Sequence, residues 1–146
     1  MTEIRALTVR QPWASAIVGR PGGGDGPKDV ENRTRRTNRR GLILIHAGLR
    51  YDHGHSPVPP ALSRWMRSGH APQEWVFGAI IGTAVVEDCH QCDGSCSEWA
   101  EPGAWHWVLG ERRCLPEPVA ARGLLGLWTP DGAVIAEINA QLEASR

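Results

Sequence analysis

Two apolar runs of strand length constrain the fold of this chain more than any other feature. They are GLILIHAG (41–48) and VFGAIIGTAVV (76–86), both rich in Ile, Leu or Val. Short continuous apolar runs of this kind are typical of strands buried on both faces. Gly78 and Gly82 interrupt the second run, which predicts a bent or bulged strand. We therefore expect a curved sheet at the core.

The remaining segments supply more strands and a few short helices. Apolar alternation predicts strands over 4–9, 29–35, 105–109 and 122–128, whereas 14–19 and 61–69 have the composition of short helices. The tail 131–146 carries apolar residues at helical spacing and is expected to form a C-terminal helix. Glycine, proline or polar residues predict loops at 21–27, 51–60 and 88–103. The expected class is α+β: a small, strongly bent mixed β-barrel of five to six strands with helices at its rim.

Length and charge narrow the protein class. A chain of 146 residues is expected to form one domain, 1–146. It has no apolar run of membrane-spanning length, and its first residues, MTEIRALTVR, are not those of a signal peptide. We therefore expect a cytoplasmic protein that does not enter the membrane, either a monomer or a weak dimer. The formal net charge is zero, so any affinity for nucleic acid must come from local clusters.

Lysine is the rarest basic residue in the chain. Of the 16 lysines and arginines, only Lys28 is a lysine, and it begins the motif K-x-x-E-N-R. Coding bias accounts for the arginines but not for this exception. Glu31 and Arg33 alternate along a predicted strand and so share one face, with Lys28 in the preceding turn. The three side chains are expected to converge, either as a ligand site or as a surface ion cluster.

Six segments occur in the order found in the ASCH family, which this chain resembles over residues 4–128. They are LTVRQPWASAIV, K-x-x-E-N-R, RGLILIHAG, GAIIGTAVVEDC, WHWVL and EPVAARGLLGLW. The resemblance implies a PUA-like β-barrel with a cleft where the first helix faces the K-x-x-E-N-R strand. It also implies a ligand of the RNA or nucleotide class, since family members are generally thought to bind these.

The resemblance and the residue chemistry together predict the ligand-binding residues. Trp13 can stack on a base, Gln11 can pair with a base edge, and Arg33 can hold a phosphate with two hydrogen bonds. His46 ends a buried strand, where a core role is at least as plausible as a ligand role. The predicted ligand-binding set is Arg10, Gln11, Trp13, Lys28, Glu31, Arg33 and His46.

A run of arginines follows the motif on what we expect to be a hairpin. Guanidinium groups clustered in this way suit phosphates and stack on bases of single-stranded RNA. The alternative is a solvated segment enriched in arginine by coding bias. The residues predicted to contact the nucleic-acid backbone are Arg35, Arg36, Arg39 and Arg40.

Two other functions stay open at this stage. A small hydrolase acting on a modified nucleoside or on RNA would use Lys28 as base and Glu31 as its partner or acid. Hydrolytic relatives resemble K-x-x-T-x-R, and here Glu31 replaces the threonine whose hydroxyl is the proposed nucleophile. The third possibility is a protein-interaction module that docks through the C-terminal helix.

The four cysteines are compatible with either reduced thiols or a metal site. Cys89, His90, Cys92 and Cys96 have ligand types that zinc accepts, and Cys114 could supply a distant fourth ligand. All but Cys114 fall within eight residues, whereas structural zinc sites usually join two separated segments. We therefore predict reduced thiols, with neither metal nor cofactor.

Overall fold

Six strands and three helices form the chain in the computed structural model, which describes residues 3–23, 26–54 and 58–145. The elements, in chain order, are β1 (Ala6–Gln11), α1 (Trp13–Val18), β2 (Val30–Arg33), β3 (Gly41–Tyr51), α2 (Pro60–Arg67), β4 (Ala79–Gln91), β5 (Trp105–Ala120), β6 (Leu127–Trp128) and α3 (Gly132–Ala144). The predicted α+β class and C-terminal helix are confirmed, and the strand number, six, falls within the predicted five to six.

Element lengths differ from the sequence predictions mainly in the long strands. β4 continues through residues 88–91, where a loop was expected, and β5 runs to Ala120 rather than ending at 109. Pairing between β4 and β5 holds these polar segments in the sheet, and such pairing cannot be deduced from their residue composition. β6 keeps only two residues of the predicted strand 122–128. The predicted loops at 21–27 and 51–60 include residues 24–25 and 55–57, which lie outside the described part of the chain.

The strands form one sheet in the order β2-β5-β4-β3-β1-β6. β1 and β3 run parallel, and all other neighbours are antiparallel. Over the described residues, β2 and β6 each pair with a strand on one side only, so the sheet is open rather than closed into the expected barrel. β6 is too short to continue along β1, whose pairing with β6 stops at Leu7. The remainder of β1 therefore has an edge that β6 does not cover.

A side chain instead of a strand pair connects the two sides of this opening. Arg33 ends the edge strand β2, and its Nη2 donates to the carbonyl oxygen of Thr8 in β1 at 2.9 Å. The sheet therefore curves far enough to bring β2 close to β1, although the two strands are not paired by backbone hydrogen bonds.

The predicted bulge in the second apolar run is confirmed. The pairing of β4 with both neighbours shifts register between Ile80 and Gly82. A Cβ at Gly82 would lie 2.3 Å from the carbonyl oxygen of Arg113 and 2.5 Å from Cγ1 of Val18. Helix α1 therefore packs directly on the backbone of β4 at this glycine.

Alternating side chains of the sheet fill two cores. On one face, Ile43 and Ile45 pack with Ile17 of α1 and with Trp107. On the other, Leu44 and Ile80 pack with Ile138 of α3. The fold thus has three layers, with α1 and α3 on opposite faces of the sheet.

The arginine-rich residues 34–40 connect β2 to β3. These two strands are not hydrogen-bonded neighbours, so the predicted hairpin is wrong.

In the described part of the chain, no helix has the length and apolar character needed to cross a membrane.

Candidate functional site

A cleft of about 670 Å³ lies in the opening of the sheet. One side carries residues of β2 and the other carries the part of β1 that β6 does not cover, while residues 98–101 and 124–126 complete the lining. Its volume falls in the range that holds small organic ligands. Of the predicted ligand-binding residues, five line this cleft: Arg10, Trp13, Lys28, Glu31 and Arg33.

The turn before β2 sets the position of Lys28. A Cβ at Gly26 would lie 2.2 Å from the carbonyl oxygen of Ala16, so the chain passes close to α1 only because this residue is glycine. The backbone N–H of Lys28 donates to the same carbonyl at 2.9 Å, and Arg112 donates to the carbonyl of Gly26. The side chain is thereby directed into the cleft, where only 3% of it is exposed.

Lys28, Glu31 and Arg33 form one ionic group. Nζ of Lys28 lies 3.0 Å from Oε1 of Glu31 and also donates to the carbonyl oxygen of Val30. Nε and Nη2 of Arg33 both lie 2.9 Å from Oε2 of Glu31. The predicted convergence of the three side chains is confirmed, and each oxygen of the carboxylate has a cationic partner.

The two cations keep Glu31 ionised. Burial on its own would raise the pKa of Glu31, but the charges of Lys28 and Arg33 and their hydrogen bonds outweigh it and lower the pKa. Glu31 is therefore a carboxylate at neutral pH, unsuited to donate a proton.

Tryptophan side chains form a wall beside the ionic group. Trp13 and Trp99 meet edge to face, with ring centroids 6.4 Å apart. Nε1 of Trp13 donates to Oδ2 of Asp52 at 3.0 Å, and Nζ of Lys28 lies 5.8 Å from the centroid of the Trp13 ring. Both tryptophans line the cleft and so present aromatic surface next to fixed charge.

Gln11 lies outside the cleft lining. Its side chain is fully buried and bonded within the protein: Nε2 donates to Oγ of Ser15 and to the carbonyl of Val76, and Oε1 accepts from the backbone N–H of Ser15. These bonds tie the first turn of α1 to residue 76. The amide that we expected to meet a base edge is thus occupied by the protein.

His46 is not in the cleft lining either; it lies beside a second cavity of about 550 Å³, which shares Thr8 and Arg10 with the cleft. Its Nε2 is 2.7 Å from the carbonyl oxygen of Ala121, its Nδ1 is 3.2 Å from Oγ1 of Thr8, and its ring meets that of Trp128 edge to face. Burial lowers the pKa of His46, against the carbonyl hydrogen bond that favours the protonated ring. His46 has the contacts of a core histidine.

The arginines of the 34–40 segment divide into two pairs. Arg39 donates to the carbonyls of Glu3 and Leu42, and Arg40 donates to carbonyls of its own segment. Arg40 is as exposed as Arg35 and Arg36, and Arg36 donates to Oδ1 of Asn38, but Arg35 and Arg36 lie next to Thr34 in the cleft lining. Arg35 and Arg36 are therefore the better placed of the four to contact a strand that leaves the cleft.

The cysteines separate in space. Cys114 packs against the α1 core, and Cys89 accepts a hydrogen bond from the N–H of Thr37. Cys92 and Cys96 instead have sulfur atoms 2.7 Å apart, close to the ring of His106. A hydrogen bond with Cys96 lowers the pKa of Cys92 to about 6, whereas desolvation raises the pKa of Cys96 to about 11.

Sequence reasoning missed three residues that hold the cleft together: Thr8, Asp52 and Trp99. The Thr8 carbonyl anchors Arg33, and Asp52 anchors Trp13. The carbonyl of Trp99 accepts from Nδ2 of Asn32, which joins its loop to β2. A large aromatic residue in a polar loop is a signal by which Trp99 could be found from sequence, whereas no local pattern points to the other two.

No protein-family model matches this chain, and no curated protein matches it either. The resemblance to the ASCH family therefore stays a prediction.

Proposed function

We propose that this protein binds single-stranded RNA, with one nucleotide in the cleft and its neighbours along the arginine-bearing segment. The observation that carries the proposal is the single buried lysine, ion-paired to Glu31 and set beside two tryptophans in a cleft of nucleotide size. Single-stranded RNA is recognised by aromatic stacking together with donors to the base edges and phosphates.

Each part of the cleft has a separate role in this proposal. An ammonium has three N–H bonds. Lys28 directs two of them to Val30 and Glu31, so one remains for a carbonyl or phosphate oxygen of the ligand. Trp13 and Trp99 supply the aromatic surface, and Arg10, exposed at the edge, supplies a further cation.

Phosphates flanking the bound nucleotide would lie on Arg35 and Arg36. The cleft itself also contains carboxylates, including Asp52, Glu98 and Glu101, and so does not present a uniformly positive surface. This mixture favours a base and ribose in the cleft and places the backbone on the exposed arginines.

The PUA-like fold and ASCH membership are part of the same proposal. They are supported by the position of the cleft between α1 and the K-x-x-E-N-R strand, and by Arg33, which reaches across the opening of the sheet. An open sheet bridged by a side chain would be a variant of that barrel.

Hydrolysis with Lys28 as base receives less support. The hydrolytic mechanism could use Glu31 as the acid, but Glu31 is ionised and cannot serve in that role. The alternative predicts turnover of a nucleoside amide or RNA that Lys28→Arg abolishes. Turnover by the native chain would favour it over binding alone.

The direct test is titration of the protein with a labelled single-stranded RNA, followed by fluorescence anisotropy. We expect tighter binding at about 50 mM than at about 200 mM salt, because bound phosphates release counterions. Lys28→Met should weaken binding at both salt concentrations, since it removes a donor inside the cleft. Arg35→Ser with Arg36→Ser should reduce the salt slope by about 0.7 for each phosphate that is no longer neutralised.

The matched control is Arg67→Ser with Arg113→Ser, which removes the same charge from exposed positions away from the cleft lining. Melting temperatures of all variants show whether they fold. RNA binding that is absent at low salt, or weakened as much by the control pair as by the Arg35 and Arg36 pair, would contradict the proposal.

A further inference from the structure

A cluster of two cysteines and two histidines lies where β4 and β5 join their connecting loop. His90 is near the end of β4, Cys92 and Cys96 are in the loop, and His106 is near the start of β5. One ligand atom from each of the four lies within 4.8 Å of the other three. The strand pairing creates this arrangement, because His90 and His106 are directly opposite each other.

His106 is the most informative member, because it is completely buried. Its Nε2 lies 2.7 Å from the carbonyl oxygen of Glu101, and a carbonyl only accepts, so Nε2 carries the hydrogen. Nδ1 then carries the lone pair, and it faces the sulfur atoms of Cys92 at 3.4 Å and Cys96 at 3.5 Å. A backbone carbonyl that fixes the tautomer in this way is the usual support of a metal-bound histidine.

His90 has a similar support from a carboxylate. Its Nδ1 lies 3.2 Å from Oδ2 of Asp88, two residues earlier on the same strand. A hydrogen held between these two atoms leaves Nε2 with a lone pair. Carboxylate–histidine pairs of this kind orient the ring and increase its basicity towards a metal.

The loop also supports Cys92. The N–H of Gly94 donates to its sulfur at 3.3 Å, and Gly94 has φ near +100°, a conformation that favours glycine. The backbone N–H of Gly94 therefore points at the sulfur of Cys92, and this hydrogen bond stabilises the thiolate form.

The donor set and spacing identify the metal class. Two thiolates and two imidazoles in tetrahedral array are characteristic of zinc, with Zn–S near 2.3 Å and Zn–N near 2.0 Å. Such ligands are roughly 3.3–3.8 Å apart. The present distances therefore require only small side-chain movements, and the strands on either side of the loop already hold both histidines.

We propose that His90, Cys92, Cys96 and His106 form a closed, structural Cys₂His₂ zinc site. Only two of the four cysteines belong to this site. The fourth ligand is His106, from the strand beyond the loop, rather than Cys114. The site would secure the 92–104 loop, which contributes Trp99 and Glu101 to the cleft, although the proposal does not depend on RNA binding.

The test is the metal content of the untagged chain purified under reducing conditions without chelator. We expect close to one zinc per chain, and the cobalt-substituted protein should show the ligand-field bands of tetrahedral cobalt with thiolate charge-transfer bands. Cys92→Ser with Cys96→Ser should lose the metal. The matched control, Cys89→Ser with Cys114→Ser, should keep it.

Stability gives a second readout. A strong chelator should lower the melting temperature of the native chain and of the control, but not that of the Cys92 and Cys96 variant. Less than a tenth of an equivalent of zinc in the native chain, or equal zinc in the two double variants, would overturn the proposal. A Cys92–Cys96 disulfide in the reduced preparation, seen as a mass loss of two hydrogens, would overturn it as well.

Discussion

At the scale of single residues, the environment of Lys28 explains why one lysine stands among fifteen arginines. Its ammonium lies in a nearly dry position between the Val30 carbonyl, Glu31 and the Trp13 ring. A guanidinium is larger and planar, with five N–H bonds to satisfy, so it does not fit the same contacts. Burial and pairing, rather than charge alone, therefore distinguish this position.

Glu31→Gln is expected to lower the free energy of unfolding at pH 7 by about 3–5 kcal/mol, since it leaves Lys28 buried without an anionic partner. Chemical denaturation measures the change. The control is Glu98→Gln in the exposed pair with Arg64, which should cost less than about 1 kcal/mol. Equal losses would show that the Lys28–Glu31 pair behaves as a surface ion pair.

The same residue gives a pH dependence. Folding lowers the pKa of Glu31 below its ordinary value of 4.5, so the unfolded chain binds more protons as the solution is acidified. Ionised Glu31 therefore stabilises the fold above about pH 4.5, and this contribution is lost as the pH falls through its lower folded value. The stability difference between native protein and Glu31→Gln should narrow between pH 7 and about pH 3. A constant difference would contradict the shift.

At the scale of elements, the contact between α1 and β4 holds one wall of the cleft. Because Gly82 has no side chain, both Val18 and the Arg113 carbonyl can lie close to the β4 backbone. The bulge beside it adjusts the register to both neighbouring strands. The absence of a side chain at Gly82 thus allows α1, the helix that carries Trp13, to pack closely on β4.

Gly82→Ala is expected to destabilise the protein by about 1–3 kcal/mol, because the added methyl overlaps backbone and side-chain atoms that cannot both move. Thermal and urea unfolding provide the measurement. The control is Gly132→Ala at the first position of α3, where an added Cβ would have no neighbouring atom within 4 Å. This substitution should be neutral or stabilising by up to about 1 kcal/mol. A neutral Gly82→Ala would mean that α1 is not tightly packed on β4.

At the scale of the whole molecule, α3 covers the face of the sheet opposite α1. Ile138 is buried against Leu115 and Trp128, and Gln141 exchanges two hydrogen bonds with the backbone of Glu117. The apolar spacing that predicted a helix is therefore used within the chain. This arrangement favours the packed alternative over a helix that docks on another protein.

Ile138→Ala should lower the free energy of unfolding by about 2–5 kcal/mol, because it removes buried apolar surface and leaves a residual cavity. Leu125→Ala removes a side chain that is 98% exposed and should change the stability by less than about 0.5 kcal/mol. Urea denaturation of both variants, with sedimentation to follow association, makes the comparison. A small effect of Ile138→Ala would indicate that α3 detaches readily from the sheet.

Local pattern predicted the class, the helices and the convergence of Lys28, Glu31 and Arg33. Strand alternation depends only on the period of two, so a shared face for Glu31 and Arg33 follows from their spacing. The glycines in the second apolar run likewise predicted the bulge in β4. Local pattern did not predict the length of β5, because its polar half is a strand only through pairing with β4.

Only the tertiary structure decided which distant residues meet. The pairing of β4 with β5 places His90 opposite His106 and separates both from Cys114, and the curvature of the sheet brings Arg33 to Thr8. The tertiary structure also buries Gln11, whose amide binds the first turn of α1 instead of facing the cleft. These outcomes depend on strand order and register, which arise from long-range packing and hydrogen bonding that no local segment encodes. The sequence by itself determined the ionic motif, and the fold determined what surrounds it.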